Sequence, residues 1–365
     1  MRVLLAGGGT GGHLVPGLNL AAGLKERGHV PALVREGREV EERFPFDGEI
    51  LEDMGLRAGS RGAALAFDLW RGGRKALRLL REWRPDLVAG LGGRTAFPCL
   101  RAAGRLGIPF VLLEQNRIPG RTTRWFARRA RRVYLAFPET AELLPGASNK
   151  ATGPPLRPGL DRREDPGLRR RFGLAPGRRI LLVLGGSQGA LALNEGLPRL
   201  LAALPKEWKE GWAVLHLAGS GKEEASAKAY EGTGVDAHVL PFHREMPELY
   251  ALASLVVCRG GGTTLAEVAA AGRPALVVPY PWHRDRHQEA NAACFEERGA
   301  MRILPQSELE AGGGRELLLS MTEPPGLLEE MGARARRVLP PGGRARILAD
   351  LESLFEGSGR AEVSE

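Results

Sequence analysis

The sequence contains few cysteines and no long apolar run, and each shortage excludes a class of protein. Three cysteines lie far apart in 365 residues, at Cys99, Cys258 and Cys294, so their spacing fits neither a disulfide framework nor a structural zinc site. No apolar segment approaches the ~20 residues that a membrane-spanning helix needs. Met1 is followed within a few residues by a glycine loop, which is too early for a signal peptide. We therefore expect an intracellular protein that does not span a membrane.

Metal-binding patterns and net negative charge are also lacking. No group of Asp, His or Cys has the spacing of a metal site, and no Asp-x-Asp element follows a predicted strand. We therefore predict no metal ion and no bound cofactor. The formal net charge is +9, carried mainly by arginine, which favours an anionic partner such as an anionic lipid or a phosphorylated substrate. Nucleic acid is disfavoured because no RNA-recognition motif accompanies the charge.

The most informative stretch combines an apolar strand, a glycine turn and the start of a helix. An apolar run at 255–257 leads through Cys258–Gly262 into a helical pattern that begins with Thr263 and Thr264. The glycines let the backbone approach a ligand closely, and a helix N-terminus suits a phosphate. Glu267, about one turn later, can accept hydrogen bonds from the diol of a ribose. The stretch predicts a nucleotide site, although a helix with a surface glutamate has the same pattern.

The amino-terminal half begins with a similar unit. Arg2–Ala6 is a predicted strand, Gly7–His13 a glycine loop and Val15–Leu24 a helix, and the next strand is predicted at His29–Val34. The glycines fit Gly-x-Gly-x-x-Gly between a strand and a helix, which makes an NAD-dependent dehydrogenase one hypothesis. The additional glycines, and the histidine directly after them, argue against it.

The same pattern restarts in the second half of the chain. Lys150–Pro158 is rich in glycine and proline and is predicted to be a linker. Arg179–Leu184 is then a strand, and Gly185–Ala190 is a second glycine loop, in which Ser187 could hold a phosphate. Strands alternate with helices in both halves, which favours parallel sheets. We predict an α/β fold of two Rossmann-like, doubly wound domains, with boundaries at 1–156 plus 342–357 and at 157–341.

Polar groups cluster at the ends of predicted strands, where open α/β sheets bind ligands. In the first half these are Glu114 and Asn116, after the strand at 108–113, and His13 at the start of the first helix. A helix N-terminus favours neutral imidazole, so His13 suits a general base, and a purely structural role in the loop is the alternative. In the second half, Asp285–Asn291 carries amide and imidazole groups that suit sugar hydroxyls.

Basic and aromatic residues are interleaved in two segments of the first half. One spans residues 65–84 and includes Trp70, and the other spans residues 121–132 and includes Trp125. Apolar area beside cations is typical of a surface that inserts into an anionic membrane interface. An ordinary amphipathic helix, with its apolar face in the core, is the alternative.

Together these motifs resemble one enzyme family. They occur in order, at matching spacing and over essentially the whole chain, as Gly8–His13, Glu114–Asn116, Gly185–Ala190, Cys258–Glu267 and Asp285–Gln288. The family is the peptidoglycan glycosyltransferases that transfer N-acetylglucosamine from UDP-N-acetylglucosamine to lipid I, an undecaprenyl-diphosphate-linked muramyl peptide, to give lipid II. The resemblance implies a GT-B fold, in which two Rossmann-like domains face each other across a cleft and a terminal helix crosses back to the first domain.

The resemblance also implies the reaction and its location. The muramyl 4-hydroxyl would attack the anomeric carbon with inversion, and UDP would leave without the help of a metal ion. The protein would be a peripheral protein at the cytoplasmic face of the bacterial membrane, in peptidoglycan synthesis and hence in cell shape and division. Its partners would be UDP-N-acetylglucosamine, lipid I, an anionic membrane surface and other cell-wall synthesis proteins.

Functional residues carry over from the family by position. His13, Glu114 and Asn116 are the candidate catalytic residues, and Arg157, in the predicted linker, would reach the diphosphate. The candidate residues for binding UDP-N-acetylglucosamine are Thr10, Gly11, Gly12, Asn116, Arg157, Ser187, Gly262, Thr264, Glu267, His287 and Gln288.

Within this set, the resemblance implies distinct tasks. Glu267 would bind the ribose hydroxyls, Ser187 and Thr264 the diphosphate, and Gln288 with His287 the sugar hydroxyls. The chain departs from the family at His287, where glutamine is common.

Two further hypotheses compete with the transferase. A UDP-sugar 2-epimerase shares the two-domain fold but needs no lipid acceptor and no membrane surface. A basic membrane scaffold without activity would leave the nucleotide motifs unexplained, and it predicts no binding of UDP-sugars.

Overall fold

The computed structural model of the protein describes residues 1–7, 11–35, 46, 48–53, 62–186 and 189–359. These residues divide into two compact units. The first contains the described residues of Met1–Arg157 and Pro340–Glu365, and the second is formed from Pro158–Leu339. The carboxyl-terminal segment therefore belongs to the same unit as the amino terminus.

The first unit is a parallel sheet with helices on both faces. Its described strands are β1 (Arg2–Ala6), β2 (Val30–Arg35), β3 (Glu49–Asp53), β4 (Leu87–Gly90), β5 (Phe110–Glu114), β6 (Arg132–Leu135) and β7 (Asn149–Ala151). Its described helices are α1 (Gly11–Glu26), α2 (Gly62–Trp83), α3 (Gly93–Leu106), α4 (Arg121–Phe126) and α15 (Gly343–Gly359), with 3₁₀ turns at Ala127–Arg129 and Pro138–Leu143. The strand order is β3-β2-β1-β4-β5-β6-β7, and the described pairings are parallel.

The second unit repeats this plan. Its described strands are β8 (Arg179–Leu184), β9 (Trp212–Leu217), β10 (Asp236–Leu240), β11 (Leu255–Cys258), β12 (Ala275–Val277) and β13 (Met301–Ile303). Its described helices are α5 (Pro166–Arg171), α6 (Leu191–Ala202), α7 (Lys206–Gly211), α8 (Glu223–Tyr230), α9 (Met246–Leu252), α10 (Gly262–Ala270), α11 (His287–Glu296), α12 (Gln306–Glu310), α13 (Arg315–Thr322) and α14 (Leu327–Ala335). The strand order is β10-β9-β8-β11-β12-β13, again with parallel pairings.

Both sheets have the doubly wound topology that the sequence predicts. The winding direction reverses between β1 and β4 in the first sheet and between β8 and β11 in the second. In open α/β sheets, ligands bind outside the carboxyl ends of the strands at such a switch point. The loops after β1 and β4, and those after β8 and β11, are therefore where functional groups are expected.

The cores explain why the strands are almost entirely apolar. Val3–Ala6 of β1 and Ile180–Val183 of β8 are fully buried, because helices cover both faces of each sheet. In the first unit, α1 and α15 pack on one face, and α2 and α3 pack on the other. No helix in the described ranges is both long enough and apolar enough to span a membrane.

A buried carboxylate attaches α15 to the first sheet. Asp350, whose side chain is 8% exposed, accepts hydrogen bonds from Arg132 Nε and from the Tyr134 hydroxyl, both at 2.9 Å. Lys150 Nζ pairs with its other oxygen. Burial and the nearby Asp350 carboxylate raise the pKa of Tyr134 well above its ordinary value, so Tyr134 remains a hydrogen-bond donor. The three donors from β6 and β7 fix the position of the helix.

Three predicted boundaries were wrong. α1 begins at Gly11 and α10 at Gly262, so residues assigned to glycine loops form first helical turns. Glycine is tolerated there because the first amide groups of a helix have no intrahelical partner. Lys150 and Ala151 belong to β7 rather than to a linker, because a three-residue edge strand leaves little pattern in a sequence.

Candidate functional site

In the second unit, the loop after β11 brings backbone amides to the switch point. Gly261 precedes α10 in an extended conformation, with φ −69° and ψ 129°. A Cβ atom at Gly260 would lie 2.3 Å from the carbonyl oxygen of Gln288, so only glycine fits between the loop and α11. Thr263 is buried and Thr264 half-buried in the first turn of α10. The result is a helix N-terminus with a closely approachable backbone, which suits a phosphate.

Side chains of α11 hold this loop in place. The Oε1 atom of Gln288 accepts hydrogen bonds from the amides of Gly260 at 3.1 Å and Tyr280 at 3.0 Å. Asn291, which is fully buried, donates from Nδ2 to the carbonyl of Gly260 at 3.0 Å. Within the described residues, the Gln288 Nε2 group has no protein acceptor. Gln288 thus uses its carbonyl for the loop, which leaves its amide nitrogen for a ligand hydroxyl.

A carboxylate, that of Glu267, lies about one helical turn after these amides. Glu267 is 5% exposed, and the hydroxyl of Tyr250, from α9, donates to its Oε2 atom at 3.1 Å. A carboxylate held in this way presents a fixed acceptor, as recognition of a ribose diol requires. Burial raises the pKa of the neighbouring Cys258 thiol to about 12, so Cys258 is a packing residue and not a nucleophile.

The loop before α11 orients two histidines. His287 Nδ1 lies 2.7 Å from Asp285 Oδ1, and an ionised carboxylate only accepts hydrogen bonds, so Nδ1 carries the proton. Burial alone would raise the pKa of Asp285, but its hydrogen bond and charge interaction with His287 lower it overall. Burial, followed by the proximity of His287, lowers the pKa of His283. His287 therefore has Nε2 as the nitrogen that can meet a ligand.

The glycine loop after β8 is tight and lies beside β9. A Cβ atom at Gly189, whose φ is +71°, would lie 2.0 Å from the carbonyl oxygen of Ala218. A Cβ atom at Gly185 would lie 2.6 Å from the amide nitrogen of Ala190. The backbone therefore requires glycine at both positions. Ser187, with Gln188, lies outside the described residues, and its predicted contact with a diphosphate stays a prediction.

In the first unit, His13 lies at the corresponding switch point. Gly11, Gly12 and His13 are the first three residues of α1, whereas Thr10 lies outside the described residues. The His13 ring packs against Gly92 at the end of β4, where a Cβ atom would lie 2.8 Å from the ring carbon Cδ2. The left-handed φ of +94° at Gly92 also favours glycine. The imidazole is half-buried at the positive end of the helix dipole.

Glu114 and Asn116 are joined by hydrogen bonds, and each oxygen of the Glu114 carboxylate accepts two of them. Glu114 is 5% exposed at the end of β5. Its Oε1 accepts from the amide and Nδ2 of Asn116, at 3.0 and 3.3 Å, and its Oε2 accepts from Gly120 N at 3.0 Å and Thr123 Oγ1 at 2.6 Å. These four contacts favour a role in ordering the turn at 115–123 over proton transfer by Glu114 itself.

The structure groups the predicted residues by unit. The second unit brings together Gly262, Thr264, Glu267, His287 and Gln288. The first unit contains His13, Glu114 and Asn116, and Arg157 is its last residue before the second unit begins.

Two supporting residues were missed by the sequence reasoning. Tyr250 lies on an apolar helix and gives no signal of its own, because only the fold brings its hydroxyl to Glu267. Tyr280 contributes a backbone amide, which carries no sequence signature at all.

The two doubly wound, parallel-sheet units define a fold class, the GT-B fold. Residues 3–135 match the N-terminal domain of glycosyltransferase family 28, and residues 180–338 match its C-terminal domain. The chain belongs to glycosyltransferase family 28.

Full-length relatives narrow this class. The chain is 41% identical over 363 residues to the UDP-N-acetylglucosamine–N-acetylmuramyl-(pentapeptide) pyrophosphoryl-undecaprenol N-acetylglucosamine transferase of Halorhodospira halophila, covering 97% of this chain and 99% of that protein. A crystal structure of Acinetobacter baumannii MurG is 29% identical with a TM-score of 0.74, covering 96% of this chain and 99% of that one. A putative UDP-N-acetylglucosamine 2-epimerase of Listeria monocytogenes, at 16% identity and TM-score 0.72 over 98% and 97% of the two chains, shares the fold.

Proposed function

We propose that the protein transfers N-acetylglucosamine from UDP-N-acetylglucosamine to the muramyl 4-hydroxyl of lipid I, forming lipid II for peptidoglycan synthesis. The protein is thus a hexosyltransferase. The observation that carries the proposal is the full-length similarity to the Halorhodospira halophila enzyme of that name. The amides and fixed carboxylate after β11 support it, because they suit the diphosphate and ribose of a nucleotide sugar. In this proposal the second unit binds the donor and the first binds the acceptor.

In this proposal each part of the donor has its own protein contact. Thr264, in the first turn of α10, binds the diphosphate together with Ser187 and Arg157, and the backbone near Gly262 contacts the uracil-side edge of the nucleotide. Glu267 accepts hydrogen bonds from the ribose hydroxyls. The Nε2 amide of Gln288 donates to a sugar hydroxyl, because its carbonyl already holds the loop.

The chemical step needs a base and a stabilised leaving group. His13 takes the proton from the 4-hydroxyl as the oxygen bonds to the anomeric carbon, and the bond from that carbon to the UDP oxygen breaks with inversion. The dipole and amides of α10 stabilise the charge that develops on UDP. Glu114 acts as a positioning group that fixes Asn116 and the 115–123 turn. Asn116 faces the acceptor and its diphosphate.

An exposed basic and aromatic surface supports membrane binding by the first unit. Trp70 and Phe67 of α2 are 55% and 52% exposed, and Trp125 of α4 is 72% exposed. Arg74 lies over the Trp70 ring at 5.0 Å. The opposite side of α2, including Trp83, is buried, so packing in the core accounts for that side of the helix and not for its exposed aromatic face. We infer that the exposed face contacts an anionic bilayer at the cytoplasmic side of the membrane.

Two measurements test these proposals. UDP release from UDP-N-acetylglucosamine is measured with and without a lipid I analogue, and release only with the acceptor supports the transferase. Donor binding without acceptor-dependent release would contradict it and favour the epimerase, whereas no binding of the UDP-sugar would favour a scaffold. Cosedimentation with phosphatidylglycerol vesicles tests the surface. Trp70→Ser should weaken binding to the vesicles. The matched control Trp212→Phe, at a tryptophan buried in the second unit, should leave this binding unchanged.

A further inference from the structure

An arginine cluster lies at the amino-terminal edge of the second sheet, away from the nucleotide loop. Arg273 precedes β12, and Ser254, which precedes β11, lines the same region. Cavities of about 580 Å³ and about 490 Å³ adjoin there and share Arg273 and Arg336 in their walls. Since β11 ends at the nucleotide loop, the cluster and the loop lie at opposite ends of the same strand.

Two glycines bring the shared arginines together. Gly272 has a φ of +66°, and a Cβ atom there would lie 2.1 Å from Nε of Arg336. A Cβ atom at Gly332, on α14, would lie 2.2 Å from the carbonyl oxygen of Gly272. The end of α14 therefore lies directly against the turn that carries Arg273. The position of Arg336 depends on both glycines.

The charges of the pair are only partly compensated. Arg273 Nη2 donates to the carbonyl of Ala251 at 3.0 Å, and Arg336 Nη2 donates to that of Ala271 at 3.1 Å. These carbonyls end α9 and α10, and two helix ends offset about one positive charge. Among the described residues, no carboxylate lies within the 4.0 Å ion-pair distance of either guanidinium.

One donor of the pair is buried without an acceptor. The Nε group of Arg273 has no hydrogen-bond partner within the described part of the chain. Burial, and then the nearby charge of Arg336, lower the pKa of Arg273, and the charge of Glu164 opposes them only in part. An anion between the two guanidiniums would offset the repulsion between their charges.

More arginines extend the positive surface on each side. Arg162 and Arg163 line the first cavity, and Arg179 and Arg337 line the second. With the shared pair, six arginines and three acidic residues line the two cavities, and Arg162 is also paired with Asp165 and Glu248, which are not among the lining residues. Planar guanidinium groups match the oxygens of phosphate in paired hydrogen bonds.

We propose that this cluster is a second ligand site, which binds a phosphate-bearing anion between Arg273 and Arg336. The site is independent of the donor site. Both sites adjoin α10. Arg336 donates to the carbonyl of Ala271 at the end of this helix, and the nucleotide loop leads into its first turn.

Calorimetry with inorganic pyrophosphate tests the site, using the full-length protein with excess UDP to fill the nucleotide loop. We expect saturable binding that Arg336→Gln weakens about tenfold or more. Arg199→Gln, an exposed arginine on α6 paired with Glu195, is the matched control and should bind as the wild type does. Arg336 is exposed and loses one hydrogen bond to a carbonyl on replacement, so the variant should still melt cooperatively within a few degrees of the wild type, which separates a lost site from a lost fold. Absence of saturable binding, or equal binding by Arg336→Gln and wild type, would refute the proposal.

A second arm identifies the source of the phosphate. Phosphatidylglycerol vesicles that displace pyrophosphate, where phosphatidylcholine vesicles do not, would assign the site to a lipid headgroup. If pyrophosphate stays bound in the presence of either phosphatidylglycerol or phosphatidylcholine vesicles, the site is assigned to a free phosphate compound. Neither experiment measures glycosyl transfer. A negative result would therefore refute the second ligand site and leave the proposed transferase function untouched.

Discussion

Gln288 offers the sharpest test of the donor site because the two ends of its amide have different tasks. Its Oε1 accepts from Gly260 and Tyr280, and its Nε2 is proposed to donate to the sugar. Gln288→Glu keeps an oxygen facing the two amides and replaces only the Nε2 donor. The new charge lies at the second residue of α11, where the helix dipole favours an anion. Gln288→Leu removes both functions.

The magnitudes follow from the contacts that each variant loses. Loss of the hydrogen bond that Nε2 donates to the sugar hydroxyl costs about 1.5–3 kcal/mol, or about 10–100-fold in kcat/KM. Gln288→Glu should therefore retain UDP affinity within about threefold. Gln288→Leu also leaves the amide of the buried Gly260 without its acceptor, which costs about 1–3 kcal/mol. That variant should lose UDP affinity and have a lower Tm.

UDP calorimetry, acceptor-dependent kinetics and thermal melts measure the three quantities on the same preparations. If Gln288→Glu keeps the kcat/KM of the wild type, Nε2 does not contact the sugar. If it instead loses UDP affinity as severely as Gln288→Leu, the loop is not held through the side-chain carbonyl. Either result would refute the division of tasks.

Three further predictions concern other parts of the molecule. His13→Ala should lower kcat by ~10²–10⁴-fold with little change in UDP-sugar affinity, and near-normal turnover in steady-state assays would exclude His13 as the base. Tyr250→Phe should weaken UDP binding about tenfold, because the Glu267 carboxylate loses a donor, while leaving 2′,3′-dideoxy-UDP unaffected; equal losses in calorimetry would contradict the ribose assignment. Asp350→Asn should cost about 3 kcal/mol at pH 7. Burial alone would raise the pKa of Asp350, but Lys150, Tyr134 and Arg132 lower it overall. Its stabilisation is therefore present above the unfolded-state pKa of about 3.9 and is lost as pH falls through the folded-state pKa. We expect the difference in Tm between the wild type and Asp350→Asn to shrink below about pH 4. Thermal melts in which this difference stays constant would contradict the prediction.

The sequence predicted the fold because both sheets are made of buried strands that alternate with helices. Arg2–Ala6 and Arg179–Leu184 match β1 and β8 residue for residue, since apolar runs bounded by glycine loops are distinctive. Edge elements were less visible. β7 overlaps the start of the predicted linker, and both β7 and β13 have only three residues, so neither offers enough periodicity to be recognised.

The candidate site was predictable to the extent that residue type and spacing determine it. Glu267 was predicted from its position one turn after the glycine loop and Gln288 from the family resemblance, and the structure joins Gln288 to the loop after β11. The saturation of the Glu114 carboxylate was not predictable, because two of its donors are a backbone amide and the hydroxyl of Thr123, nine residues away. Such contacts depend on the path of the turn rather than on any pattern of residues.

The packing of α15 on the first sheet has a consequence for biosynthesis. During translation, all of Pro158–Leu339 leaves the ribosome before α15 does, so the later unit can finish folding while the earlier one is incomplete. Until then, the apolar face that Ile347, Leu348 and Leu351 cover stays open in the nascent chain. A polypeptide terminated after Leu339 would therefore lack part of the hydrophobic core of the first unit. A chaperone that shields apolar surface would act on this unit rather than on the second.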